Sequence, residues 1–186
     1  ELGIEHPNNP LTKEPIVITT DFLITVEDNN GEVVEKARTL KYKKDLVDKR
    51  VLEKFEIERQ YYLKKGIDWG IVTDEEIDKS VSKFIADLYT YQNLEEVEFF
   101  KEIDSDELID MKLYFIRQCA SYEGTLKSLC SSFDRIMSMY SGSGISMFKH
   151  LLINKMISIN IFDGIDLKKH IDIAINELSN NIRGVS

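Results

Sequence analysis

The chain has 186 residues and a net charge of −9, with 42% apolar and 31% charged residues. That balance suits a globular chain that buries a core and excludes low-complexity disorder. No apolar run is long enough to span a bilayer, so no membrane segment is expected. The opening Glu1-Leu2-Gly3-Ile4-Glu5-His6-Pro7 has neither a basic stretch nor an apolar core and does not read as a secretory signal. It also lacks an initiator Met, so the chain is expected to begin inside a domain.

Residues 1–15 carry all three prolines and read as an irregular lead-in. Residues 16–27 (IVITTDFLITVE) are β-branched and aromatic, which predicts a strand. Asn29-Asn30-Gly31 is a hairpin signal, and residues 32–43 alternate as a second strand. A helix is predicted over 45–65, with Asp45 as N-cap and Gly66 as its stop. A short strand at 69–73 precedes a helix at 75–91, capped by Thr73 or Asp74. Beyond Tyr91 the pattern turns helical. Three helices are predicted within 94–140, then a turn at 141–144, a helix at 145–155, a short strand at Ile157–Ile161 and a last helix at 167–179. The expected organisation is an α/β domain over 1–91 and a mainly helical domain over 92–186.

Cys119 and Cys130 form no CxxC pair, and His6, His150 and His170 are scattered, so neither type suggests a zinc site. Two thiols without disulfide spacing suit a reducing, cytoplasmic compartment. The overall acidity argues against a free-standing nucleic-acid binder. The charge is uneven, however: Lys36–Lys54 holds eight basic residues against three acidic. In that island Lys43, Lys44, Lys49, Arg50 and Lys54 are the candidates for contact with a phosphate backbone. Residues 92–186 carry ten basic and fourteen acidic residues, a balance better matched to a protein partner than to DNA.

Thr39 and Lys41 share a strand face by the period of two. A two-residue loop at Asn30-Gly31 would put Asp21 on the opposite face. A three-residue loop at Asn29-Asn30-Gly31 would pair Asp21 with Thr39 and leave Lys41 as a diagonal neighbour. In the following helix, Val51, Phe55, Glu58 and Tyr62 recur on one face, so Glu58 lies in an apolar stripe. An inward carboxylate needs a partner, and Lys41 or a metal at the sheet edge are the candidates. Asp21, Lys41 and Glu58 are the parts that phosphodiester hydrolysis requires: carboxylates for Mg²⁺ and a lysine for charge stabilisation or activation of water. A plain Asp21–Lys41 surface ion pair is the alternative.

The run His6-Pro7…Lys13-Glu14-Pro15-Ile16-Val17…Thr20-Asp21-Phe22-Leu23, then Leu40-Lys41, then Leu52 to Tyr62 (LEKFEIERQYY), then Trp69…Thr73-Asp74-Glu75-Glu76-Ile77, resembles the TnsA family. These are endonuclease subunits of heteromeric cut-and-paste transposases. Gly142 to Leu151 (GSGISMFKHL) with Lys155-Met156-Ile157 is similar to the family's C-terminal, winged-helix-like helical domain. The resemblance implies a restriction-endonuclease-like first domain with a PD-(D/E)xK-type site. Asp21 then corresponds to the metal-binding aspartate, Lys41 to the catalytic lysine, Leu40 to a residue offering its carbonyl to metal, and Glu58 to a helix glutamate of the site. It implies cleavage at the 5′ ends of a transposon in a bacterial cytoplasm. The TnsB-type transposase would act on the 3′ ends, and a TnsC-type ATP-dependent regulator would bind the C-terminal domain. Thr39 departs from the pattern, which more often has Glu or Gln, and threonine is a poorer metal ligand. A further family glutamate lies upstream of the segment matching His6-Pro7 and has no counterpart here, so the chain alone is expected to be inactive.

Two other readings stand beside this one. The first is a docking module that binds the regulator through 92–186 and does no chemistry. The second is a stand-alone winged-helix DNA binder, which the acidity of 92–186 disfavours. Phe99, Phe100, Leu113, Phe115 and Ile116 are expected in the core, while Met137, Met139 and Met147 are candidates for a partner groove.

Overall fold

A computed structural model of the chain describes residues 2–28 and 30–176. It is a mixed α/β structure that divides into two compact units, residues 1–78 and 79–186. Among the described residues, no helix is long and apolar enough to cross a membrane.

The first unit is a three-stranded sheet with one helix. β1 (Phe22–Glu27) pairs antiparallel with β2 (Val33–Lys41), and β3 (Asp68–Thr73) lies parallel on the other side of β2. The β1–β2 register sets Phe22 opposite Arg38 and Glu27 opposite Val33. That register requires a three-residue connection between Asp28 and Glu32. Asp28 N–H donates to the Glu32 carbonyl at 2.8 Å, and Gly31 takes a φ of +80°, a left-handed conformation that costs glycine least. Of the two loop lengths open to the sequence, the chain adopts the three-residue one.

β1 is shorter than expected: 16–20 lies outside the ladder, and the chain bends at Asp21. A 3₁₀ turn (Lys43–Val47) follows β2 and leads to α1 (Lys49–Lys64). Asp48, not Asp45, caps α1, accepting from the backbone N–H groups of Arg50 and Val51. Gly66, at φ +69°, ends it: Ile67 N–H donates to the Tyr62 carbonyl and Gly66 N–H to that of Leu63, the paired bonds of a Schellman close.

The second unit begins at α2 (Lys79–Tyr89), so the division falls at 78/79 and not after residue 91. The physical reason is that Leu88 and Phe84 of α2 belong to the helical core. Neither Thr73 nor Asp74 opens α2. Thr73 instead donates its N–H and hydroxyl to Glu76, and Asp74 accepts from Lys43 N–H. Two 3₁₀ turns (Leu94–Glu96 and Glu98–Phe100) precede α3 (Ser105–Cys119), α4 (Leu126–Ile136) and α5 (Ser143–Ile153). Where three helices were expected within 94–140, two form.

β4 (Ile157–Ser158) pairs antiparallel with β5 (Ala174–Ile175). The helix expected over 167–179 is absent from 167–176, and 177–179 lies outside the described residues. Ile171, Ile173 and Ile175 alternate with polar or small residues, a strand pattern. The carbonyls of Leu167 and Lys169 accept from Lys127 and Leu126 N–H, capping the start of α4.

Phe100, Phe115, Phe133, Phe148, Met147 and Leu151 are fully buried and form the centre of this unit. Each buried aromatic contributes about 2–3 kcal/mol by area alone. Of the expected core residues, Phe115 and Ile116 join Phe100 inside, Phe99 packs against them, and Leu113 instead lines a groove. Met147 is core and not a groove residue.

α4 and α5 approach closely. A Cβ on Gly144 would press on the Cys130 carbonyl oxygen and lie 2.8 Å from the Cys130 Cα. Asp134 of α4 accepts from the N–H groups of Gly142 (3.0 Å) and Gly144 (2.5 Å), fastening the start of α5 to its neighbour. Burial pushes the thiols of Cys119 and Cys130 up to about 12, so both stay protonated inside the core.

Gly144→Ala is expected to destabilise the helical unit by about 2 kcal/mol, because backbone and not a flexible side chain meets the added methyl. An unchanged urea midpoint would show that the crossing is looser than described.

His150 supplies a second prediction. Its Nδ1–H donates to the Tyr91 carbonyl at 2.9 Å, and its Nε2 is buried without a partner among the described residues. Burial, helped by the nearby charge of Lys112, lowers the imidazole to about 4, against the opposing hydrogen bonds to the carbonyls of Tyr91 and Gln92. The unfolded chain takes up this proton near 6.5 and the folded one resists it. Stability is therefore intact above that pH and falls as the pH drops toward 4, by on the order of 3 kcal/mol. Urea midpoints across that window should slope less in His150→Asn than in the parent chain; parallel slopes would assign the acid sensitivity to other groups.

Candidate functional site

The site expected from the sequence lies in the first unit, where β1 leaves the ladder early. β2 runs on to Lys41, but its partner strand starts only at Phe22. Extending the register by one residue sets Asp21 opposite Thr39, on the face of the sheet that α1 covers. The Asp21 side chain takes the place of the missing strand: its Oδ2 accepts the Leu40 N–H at 2.7 Å. Within a strand, the N–H and C=O of one residue point to the same edge. The Leu40 carbonyl therefore faces the side on which Asp21 sits. The Asp21 carboxylate thus lies at the strand edge that the Leu40 carbonyl faces, one residue before Lys41.

Glu58, on α1, is 7% exposed. Three neutral donors reach its Oε2: Thr39 Oγ1 at 2.6 Å, Trp69 Nε1 at 3.1 Å and Thr20 Oγ1 at 3.4 Å. Trp69 is held in turn against Phe55, with ring centroids 6.0 Å apart. The charged side chain considered from the sequence is not the observed partner. Lys41 does not reach Glu58; its Nζ pairs with Asp45 at 3.6 Å. Thr39 is 6% exposed and directs its hydroxyl at Glu58, so it reads as a support of that glutamate rather than as a metal ligand.

Thr20 and Trp69 were not legible as parts of the site. The available signal was Trp69 itself. It is the one tryptophan of the chain, on the β3 face toward α1, and a buried indole N–H needs an acceptor.

The basic island is less free than its count suggests. Arg38 pairs with Asp68 at 2.6 Å, Lys43 with Glu75, and both Lys49 (3.8 Å) and Arg50 (2.8 Å) with Glu53. The hydrogen bond from Lys43 to Glu75 raises the lysine above its usual range, and the backbone N–H of Thr73 lowers Glu76 below its own. Lys44 lies over the Tyr42 ring, 5.3 Å from its centroid, and Lys54 is exposed on α1.

As a metal site, the donor chemistry fits a hard cation: Asp21 carboxylate and Leu40 carbonyl are oxygens of the kind Mg²⁺ takes. In number they supply only part of an octahedral shell. Among the described residues, no three of His, Cys, Asp and Glu come together as a metal cluster.

The family described as "TnsA-like endonuclease N terminal" matches residues 1–74, and "TnsA endonuclease C terminal" matches 76–161. The chain is 30% identical over 179 residues to the Escherichia coli protein "Transposon Tn7 transposition protein TnsA". That alignment takes in 96% of this chain and 61% of the relative's length. With both halves matched in order, the chain belongs to the TnsA family.

Proposed function

We propose that this chain is a metal-dependent DNA endonuclease subunit of a Tn7-like transposase, hydrolysing the non-transferred strand at the 5′ ends of a transposon. The observation that carries the reading is the Asp21–Leu40 hydrogen bond, which sets a carboxylate beside the residue preceding Lys41 at an open strand edge. On this reading the first unit is a restriction-endonuclease-like domain, and α3, α4 and α5 with the β4–β5 pair are a winged-helix-like one. The working compartment is the bacterial cytoplasm.

Asp21 and the Leu40 carbonyl would hold Mg²⁺, with water and phosphate oxygens completing its shell. The ion, when bound, supplies charge stabilisation at the phosphate and orients the attacking water. Lys41, at the end of β2, is placed to add positive charge at the phosphoryl oxygens or to hold the water. Moving its ammonium from Asp45 to a phosphate exchanges one exposed ion pair for another and costs little. Lys43, Lys44, Lys49, Arg50 and Lys54 would steady the DNA backbone. Among the described residues no three of His, Cys, Asp and Glu gather at Asp21, so the chain alone is expected to be inactive, and 5′ cutting is expected only in the complex with the partner proteins.

The partners on this reading are a TnsB-type transposase and a TnsC-type regulator. A second reading, a docking module without chemistry, draws on the groove between α3 and the end of α4. About 460 Å³ in volume, it has Met111, Leu113 and Met137 on its wall and Glu107 and Asp110 among its lining residues.

Strand-specific cleavage of a transposon-end DNA with the partner transposase, regulator and Mg²⁺ decides between the two. Lys41→Ala is expected to reduce 5′ cutting by about a hundredfold or more while 3′ cutting by the partner continues. Normal 3′ cutting with no 5′ cut from the parent chain would leave only the docking role.

A further inference from the structure

We propose that Glu58 is a positioning residue, whose single oxygen Oε2 ties the residues just before Asp21 and just before Leu40 to helix α1, with Thr20, Thr39 and Trp69 as its working partners. The proposal rests on the nuclease reading and assigns Glu58 a place in it other than ligand or base.

The geometry runs through the backbone. Thr20 precedes Asp21, and Thr39 precedes Leu40. Both hydroxyls donate to the same carboxylate oxygen, at 3.4 and 2.6 Å. Immediately beyond them, Asp21 and Leu40 meet through their own 2.7 Å hydrogen bond. The bend that carries Asp21 and the end of β2 that carries Leu40 are thus joined twice, once at the site edge and once behind it. Trp69 Nε1, reaching the same oxygen from β3, sets where that oxygen sits. Thr39 and Glu58 are more than nine-tenths buried, so this link lies inside the unit and not at its surface.

A ligand or general base must reach the reacting atoms. The cavity beside Glu58, about 380 Å³, is lined by His6, Ile18, Thr20, Ile57, Tyr61 and Tyr62, with neither Asp21 nor Lys41 on its wall. Its donors are all uncharged, and the lysine of the site is paired elsewhere. A carboxylate that orients ligand-bearing segments through hydrogen bonds is the supporting arrangement that metal sites depend on.

The test uses Thr39→Val, Trp69→Phe and Glu58→Gln, with Thr39→Ser as the conservative variant and thermal melting to check that each folds. One readout needs no metal or DNA. The Trp69 indole N–H resonance, assigned by its loss in Trp69→Phe, and the exchange rate of the Leu40 amide are measured by NMR on the 186-residue chain. Thr39→Val and Glu58→Gln should shift the indole signal and speed Leu40 exchange by about tenfold, and Thr39→Ser should do neither.

The other readout is the Mg²⁺ dependence of 5′ cleavage in the assembled complex. Thr39→Val and Trp69→Phe should raise the Mg²⁺ midpoint by about tenfold and recover most of the maximal rate at saturating metal. Should Thr39→Val fail to fold, Trp69→Phe carries the same expectation.

The assignment is overturned if Thr39→Val and Trp69→Phe keep the parent midpoint while Glu58→Gln is inactive at every metal concentration, since that pattern marks a ligand or base. It is overturned equally if Thr39→Val matches the parent in both readouts. A parent complex that makes no 5′ cut defeats the nuclease reading itself, and the role of Glu58 within it falls for that separate reason.

Discussion

Satisfying one buried carboxylate organises the first unit. Among the described residues up to 78, the buried ones are Pro7, Ala37, Thr39, Phe55 and Glu58, so two of the five side chains at the centre of this small sheet-and-helix unit are polar. A carboxyl group taken out of water without donors costs several kcal/mol. Here the donors come from three separate segments: the lead-in to β1, the end of β2 and the start of β3. None is local in sequence to Glu58, so none is made until α1 lies across the sheet. Unlike an apolar contact, which tolerates sliding, a hydrogen bond at 2.6 Å fixes position to a few tenths of an ångström. The polar centre gives this unit a defined register that so few buried apolar side chains would not impose.

The site follows from a strand that stops early. Were β1 to continue through Asp21 and Thr20, the Leu40 peptide would be spent on a ladder bond. The bend at Asp21 leaves that edge open and puts a carboxylate oxygen where a backbone carbonyl would have been. A site made this way is built from backbone as much as from side chains, which is why it depends on the two segments being held from behind. The second unit follows the opposite plan. Its centre is aromatic and aliphatic, its polar exceptions are single groups such as His150, and its tightest constraint is steric, at Gly144 against Cys130.

How much of this was legible in the sequence depended on whether the deciding contact was local. Gly31 named the hairpin, because a left-handed turn position is local, but the loop length that decides whether Asp21 falls opposite Thr39 came only with the strand register. Gly66 likewise named the end of α1. Asp48, not the expected Asp45, is the cap because Lys43 to Val47 close into a 3₁₀ turn first. The helix expected near 170 failed where a period of two in Ile171, Ile173 and Ile175 competed with a helical reading and the strand found its partner in Ile157–Ser158. Glu58 was recognised as an inward carboxylate from its stripe. Its donors were not, since Thr20 and Trp69 lie far from it in the chain and only the folded sheet brings them to one oxygen.

The charge of the island has the same character. Count alone makes Lys36–Lys54 a positive stretch, yet Arg38, Lys41, Lys43, Lys49 and Arg50 all have acidic partners, two of which, Asp68 and Glu75, lie outside it. Each such pair is exposed or half-exposed and holds its members by no more than about 1 kcal/mol. A phosphate backbone can replace the carboxylates one by one, but it must also overcome their repulsion as it approaches. Attraction at long range is then weak, and the gain appears only when several phosphates are already in contact. On the proposed reading, this favours a subunit that engages DNA already held by a partner over one that finds DNA alone. The acidity of the whole chain, which by composition argued against a free-standing nucleic-acid binder, points the same way on that reading, to work inside a complex.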